Sequence, residues 1–154
     1  MGKEIERKFL LKNDFWRSGV SGEEYVQGYL TAEKGKVVRV RIAGNQGYLT
    51  IKGRYVGYSR PEFEYEISPT DARFILDNLC LKPLIEKIRY KIKYKNFTWE
   101  IDEFKGDNKG LILAEIELQS ENQHFEIPEW IGEEVSGDPR YFNSNLVKHP
   151  FTKW

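Results

Sequence analysis

Residues 3–11 read KEIERKFLL, and their period is that of a β-strand. Glu4, Glu6 and Lys8 fall on one face; Ile5, Arg7 and Phe9 fall on the other. Two carboxylates two residues apart on a strand point the same way, about 6.5–7 Å apart along the chain. That spacing suits a divalent cation, with a lysine one step on to meet an anion. A solvated edge strand with its polar residues outward has the same pattern.

The alternation continues along the chain. Residues 24–31 place Tyr25, Gln27 and Tyr29 opposite Val26 and Leu30, and residues 36–43 place Arg39 and Arg41 opposite Val38, Val40 and Ile42. Gly44-Asn45-Gln46-Gly47 is a hairpin turn signal. Residues 48–54 set Thr50, Lys52 and Arg54 on one face; residues 62–67 set Glu62, Glu64 and Glu66 on one face. Residues 84–95 present Lys87, Arg89 and Lys91 together, residues 97–104 present Glu100 and Asp102, and residues 111–119 present Glu115 and Glu117. One helix interrupts the series. Ser68 is its cap and Pro69 its first residue; it is expected to run to about residue 81, burying Phe74, Ile75, Leu76 and Leu79. Beyond residue 121 the chain reads as short helices and loops.

This predicts a mainly β (α+β) chain of eight antiparallel strands, enough to close a β-barrel, with a few peripheral helices. At 154 residues, with no repeat or linker, residues 1–154 form one expected domain. Aromatics at 14% favour β structure. Lys plus Arg and Asp plus Glu are 24 each, which speaks against a general nucleic-acid or membrane-surface binder. Cys80 is the only cysteine, so no intramolecular disulfide forms; packing near the helix end is its expected role. No apolar run reaches membrane-spanning length and the charged start is not a signal peptide, so a cytoplasmic location is expected. His124 and His149 are too far apart in sequence to suggest a metal pair, and loop or surface roles are expected for them.

The charged faces are grouped by sign: acidic in the first, fifth, seventh and eighth strands, basic in the third, fourth and sixth. Surface charge is normally more interspersed. If these faces line a barrel, so many desolvated charges need partners, and a metal–phosphate complex supplies both signs at once.

The ordered series resembles the CYTH proteins, or triphosphate tunnel metalloenzymes, over essentially the whole chain. The resemblance rests on Glu4-Ile5-Glu6-Arg7-Lys8, Val38-Arg39-Val40-Arg41, Thr50-Ile51-Lys52, Glu62-Phe63-Glu64 and Glu86-Lys87-Ile88-Arg89-Tyr90. It continues through Glu100-Ile101-Asp102, Ala114-Glu115-Ile116-Glu117 and GDPRYFNSNL at residues 137–146. The resemblance implies an eight-stranded tunnel with the charges inside, binding a triphosphate and a divalent cation. It leaves open inorganic tripolyphosphate, thiamine triphosphate or RNA 5′-triphosphate hydrolysis, and adenylate cyclisation.

The expectation is a metal-dependent triphosphatase that favours tripolyphosphate, giving pyrophosphate and phosphate. Glu4, Glu6, Asp102, Glu115 and Glu117 are expected to hold Mg²⁺ or Mn²⁺ through oxygen, with Glu62 and Glu64 completing a second site. Lys8, Arg39, Arg41, Lys52, Arg54, Lys87 and Arg89 are expected to bind phosphate oxygens. Tyr29 is expected to reach Lys8 if the first two strands pair, placing a phenol beside a catalytic lysine. A class IV-type adenylate cyclase or a thiamine triphosphatase on the same fold, and a non-catalytic polyphosphate- or nucleotide-binding module, are the alternatives. The expected partner is a small triphosphate, with no membrane or nucleic acid, for a monomer or a homodimer.

Overall fold

The computed structural model describes residues 2–154; Met1 lies outside the described residues. Among the described residues nine strands form: β1 (Lys3–Leu11), β2 (Gly22–Glu33), β3 (Lys36–Ala43), β4 (Gln46–Lys52), β5 (Ser59–Ile67), β6 (Ile85–Tyr94), β7 (Phe97–Phe104), β8 (Ile112–Glu117) and β9 (Ile131–Glu134). All pair antiparallel, in the order β5-β4-β3-β2-β6-β7-β8-β1, and β1 pairs with β5 again, so eight strands close a ring. The closing register is short, from Lys3 opposite Pro61 to Ile5 opposite Ser59. Farther along, β1 leaves β5, bulges between Phe9 and Leu11, and pairs with β9.

The expected eight strands thus all form, and β9 is the one the alternation did not reveal. Four residues are too few to show a period. Its place is held from outside the ring, where Arg7 donates twice to Glu134, at 2.7 Å from both Nε and Nη2. Tight turns join the hairpins. Between β6 and β7, Lys95 and Asn96 both take positive φ (51° and 69°), the twist a two-residue hairpin needs.

The apolar faces point outward from the ring and are covered there. One cluster packs Ile5, Phe9, Trp99, Ile101, Ala114 and Ile116 under Trp16 and Trp130. A second lies inside one end of the ring: Tyr29, Ile85, Phe104 and Leu113 share the inward strand faces of Arg39, Gln27, Lys87 and Asp102 and pack under Tyr141, Leu146 and Val147 of the C-terminal segment. The helix α1 (Pro69–Asn78) covers β3 and β4 with Ala72 and Leu76, joined by Val40 and the buried Cys80. Its start is as expected: Ser68 Oγ accepts from the Asp71 amide at 3.0 Å, and Pro69 opens the helix.

The helix corrects two expectations. It ends at Asn78 rather than near residue 81, and Phe74 and Leu79 are exposed, at 61% and 58%. The face that meets β3 is set by Ala72, whose small side chain allows close approach, and by Leu76 one turn on; Phe74 lies off that stripe. Full burial of Leu76 is worth about 1.5–3 kcal/mol. No helix in the described residues is long and apolar enough to cross a membrane.

Candidate active site

With the apolar faces outside, the ring encloses a cavity of about 320 Å³ to which all eight ring strands contribute charged or polar side chains. The pairing order does what composition cannot show. β7, β8, β1 and β5, the acidic strands, are consecutive in the ring; β4, β3, β2 and β6, which include the three basic ones, are consecutive opposite them. The two signs predominate in opposite halves of one wall, with Lys8 on β1 and Arg60 on β5 the cations of the acidic half.

Cations and carboxylates pair around the wall, both between the halves and within the acidic one. Lys52 on β4 lies 3.3 Å from Glu4 on β1 and 3.3 Å from Glu62 on β5. Lys8 lies 3.3 Å from Glu115, and its ammonium also donates to the Tyr141 carbonyl at 3.1 Å. Arg39 meets Thr50 at 3.2 Å and Glu64 at 3.4 Å, while its buried Nε has no hydrogen-bond partner among the described residues. Burial alone would raise the Glu4 and Glu115 carboxyls. Lys52 and Arg60 outweigh it at Glu4, and Lys8 and Arg89 outweigh it at Glu115, leaving both at about 2.

Asp102 differs from the other expected metal ligands. It is 1% exposed and does not line the cavity. Its oxygens accept from Lys87 at 2.7 Å and from Arg89 at 2.7 and 2.9 Å. Burial would raise it, but Arg89 and Lys87 hold it well below the usual carboxylate range. Lys87 is pushed down to about 7 by burial, and Arg89 and Arg41 add to this against the pull of Asp102. Asp102 is the base on which two cations stand.

Among the described residues, Glu6 and Glu117 lack such partners. Glu6 on β1 is directly opposite Glu117 on β8, and Glu6 has no cation within ion-pair distance among the described residues. Burial, with Glu115 and Glu4 nearby, pushes its carboxyl well up. Burial and Glu4 also raise Glu62 and Glu117. Among the described residues no three acidic, histidine or cysteine side chains form a ready-made ligand cluster, because Glu4 and Glu115 are turned onto lysine and arginine. The chemistry of the donor set still fits a hard cation: several oxygen ligands, mutually repelling, with no soft donor near. His124 and His149 are both exposed, away from this wall.

Two expectations change. Arg54 lies outside the cavity. β4 ends at Lys52, the backbone turns at Gly53, and Arg54 is exposed beside a neighbouring cavity of about 660 Å³. Tyr29 lines the central cavity, but β1 pairs with β5, β8 and β9 and not with β2, so the pairing that was to bring it to Lys8 does not form. Its hydroxyl instead accepts from Gln27 Nε2 at 3.0 Å.

Arg60 was missed. It sits opposite Glu4 in the β1–β5 register, and its Nε donates to Glu4 at 3.1 Å. The strand is expected from residue 62, yet β5 begins at Ser59 and carries Pro61 at the short ring-closing seam. A sequence signal existed: Arg60 lies two residues before Glu62, on the same face of a strand. Glu100 also joins the wall, 3.3 Å from Arg89. Asn143 and Phe142 of the C-terminal segment reach the cavity too.

The chain is 56% identical over 151 residues to an inorganic triphosphatase of Acetivibrio thermocellus, covering 98% of this chain and 97% of that one. It is 36% identical to an inorganic triphosphatase of Nitrosomonas europaea, covering 94% and 96%. A solved structure of an inorganic triphosphatase superposes with a TM-score of 0.66 at 34% identity, covering 93% of this chain and 96% of that one. The model of the CYTH domain matches residues 2–149, and the chain belongs to the CYTH family.

Proposed function

We propose that the protein hydrolyses triphosphates with a divalent metal, Mg²⁺ or Mn²⁺, and that inorganic tripolyphosphate is its favoured substrate. The observation that carries this reading is the division of the cavity wall into a basic half and an acidic half. A phosphate chain alone would not need the carboxylates, and a metal alone would not need the arginines. Both relatives named above are inorganic triphosphatases, which supports the same substrate class.

In this reading Arg39, Arg41, Lys52, Lys87 and Arg89 bind the non-bridging phosphate oxygens, with Arg60 and Lys8 at the acidic border. Arginine offers a planar fork to two oxygens and lysine a point charge. Glu6 and Glu117, with Glu4, Glu62, Glu64 and Glu115 beside them, supply the oxygen ligands for the cation. When bound, the ion draws charge from phosphate oxygens and lowers the pKa of a coordinated water. Asp102 holds Lys87 and Arg89 in place from behind the wall. Water adds to a terminal phosphorus, the bridging P–O bond breaks, and pyrophosphate leaves against the basic half. Positioning and fixed charge carry the rate.

Phosphate release from tripolyphosphate and from ATP, with and without metal, tests this. Metal-dependent phosphate from tripolyphosphate supports it. Cyclic AMP from ATP would point to a cyclase, and binding without turnover to a non-catalytic module.

A further inference from the structure

Among the buried and half-buried cations of the cavity, Arg41 is unlike the rest. Lys8, Arg39, Lys52, Arg60, Lys87 and Arg89 each lie within 4.0 Å of a carboxylate. Among the described residues, Arg41 makes no such ion pair. Its Nε and Nη2 both donate to one neutral oxygen, Gln27 Oε1, at 2.8 and 2.6 Å. Its guanidinium also lies over the Tyr25 ring, 4.9 Å from the centroid.

Gln27 is fully buried and does not line the cavity. It faces Arg41 directly across the β2–β3 pair. All four of its hydrogen-bonding positions are used: two acceptances from Arg41, and donations from Nε2 to Tyr29 Oη and to Asn143 Oδ1, each at 3.0 Å. Asn143 Oδ1 also accepts from Lys87 Nζ at 2.8 Å. The amide therefore has one possible orientation, since Arg41 can only donate. A carboxylate there would hold the arginine more tightly but would cancel its charge. An apolar side chain would leave it unheld.

We propose that Gln27 is a positioning residue for Arg41, seating its guanidinium on a neutral oxygen so that the whole positive charge, and the Nη1 edge of the fork, face the phosphate chain. The inference rests on the triphosphatase reading above. Glu4, Lys52 and Arg60 must exchange partners when substrate and metal enter, whereas Arg41 surrenders no ion pair and is prepared for the anion in advance.

The test compares wild type, Gln27→Glu and Gln27→Met, each with and without Arg41→Met. The readouts are KM and kcat on tripolyphosphate with Mg²⁺ across a salt series, and calorimetric binding of tripolyphosphate to the metal-free protein. Gln27→Glu is expected to raise KM and Kd about tenfold, the scale of one charge-assisted contact, with KM rising more than kcat falls. Its KM is also expected to depend less steeply on salt, because one net positive charge is gone. Gln27→Met is expected to raise KM less and to keep the wild-type salt slope. In the Arg41→Met background neither change should add to the loss.

Equal effects of Glu and Met with an unchanged salt slope would overturn the proposal, because Gln27 would then only fill space. An effect of either change that persists without Arg41 would also overturn it. If Gln27→Glu does not fold, Gln27→Met in the two backgrounds decides by that same criterion. Wild type that binds tripolyphosphate without cleaving it would refute hydrolysis alone, and the Kd values would still judge Gln27. Wild type that neither binds nor cleaves it would refute both.

Discussion

Glu6 and Glu117 stand directly opposite each other across β1 and β8, two acidic side chains where a stable sheet would place a favourable pair. Like charges so placed cost about 0.2–1 kcal/mol, and Glu6 is further disfavoured by burial and by Glu115 and Glu4. Its folded pKa lies above its unfolded value. Its contribution to stability is therefore present below about 4.5 and is lost as pH rises through the folded pKa. Glu6→Gln is expected to raise the metal-free Tm by a few degrees at neutral pH while removing most turnover. Thermal melts and phosphate release read both, and a lower Tm with full activity would contradict the metal role.

Glu4 behaves in the opposite sense. Its folded value of about 2 lies below the usual 4.5, so it adds stability above pH 4.5 and loses it as pH falls towards 2. The shift corresponds to about 3 kcal/mol at neutral pH. Glu4→Gln is expected to lower neutral-pH stability on that order and to flatten the acid limb of a Tm-against-pH curve. An acid limb identical to wild type would assign the acid sensitivity elsewhere.

Asp102 supports Lys87 and Arg89 in a nearly dry site, with all of its hydrogen bonds going to those two cations. Asp102→Asn leaves two buried cations short of a counter-charge and is expected to cost about 3–5 kcal/mol in denaturant unfolding. Lys87, at about 7, is largely neutral at pH 8 in the empty cavity and charged once an anion lies beside it. Metal-free tripolyphosphate binding at pH 8 is therefore expected to take up about one more proton in wild type than in Lys87→Met. Calorimetry in two buffers of different ionisation enthalpy measures the difference; equal uptake would show that Lys87 is already protonated.

A wall with its cations spread over β3, β4 and β6 matches a chain of phosphates better than a pair. Each charge-assisted contact left unmade by pyrophosphate is expected to cost about 1.5–3 kcal/mol, or roughly ten- to a hundredfold. Tripolyphosphate is expected to be cleaved well above ATP, and pyrophosphate essentially not at all. Arg39→Ala or Arg41→Ala should narrow the preference for three phosphates over two. Side-by-side rates on the three compounds decide, and pyrophosphate cleaved as fast as tripolyphosphate would remove the argument from the spread of cations.

Much of this architecture is written locally. A strand's two faces follow from its period of two, so KEIERKFLL and its successors announce which residues travel together whatever they pair with. The same holds for Ser68 and Pro69, whose helix start depends on neighbours three residues away. Grouping of charge by strand is likewise a property of the chain alone, and it pointed to a charged interior. What the chain could not announce depends on partners far away in sequence. Ring order places the four acidic strands side by side, because β1 pairs with both β5 and β8. That order separates Tyr29 from the pairing proposed for Lys8. Register brings Arg60 to Glu4 across a seam containing proline. Asp102 on β7 and Glu115 on β8 both face inward and each pairs with two cations, yet only Glu115 lines the cavity. Local sterics decide the face a side chain takes; only long-range pairing decides which charges share that face's space, and the energy of a buried charge depends almost wholly on those neighbours.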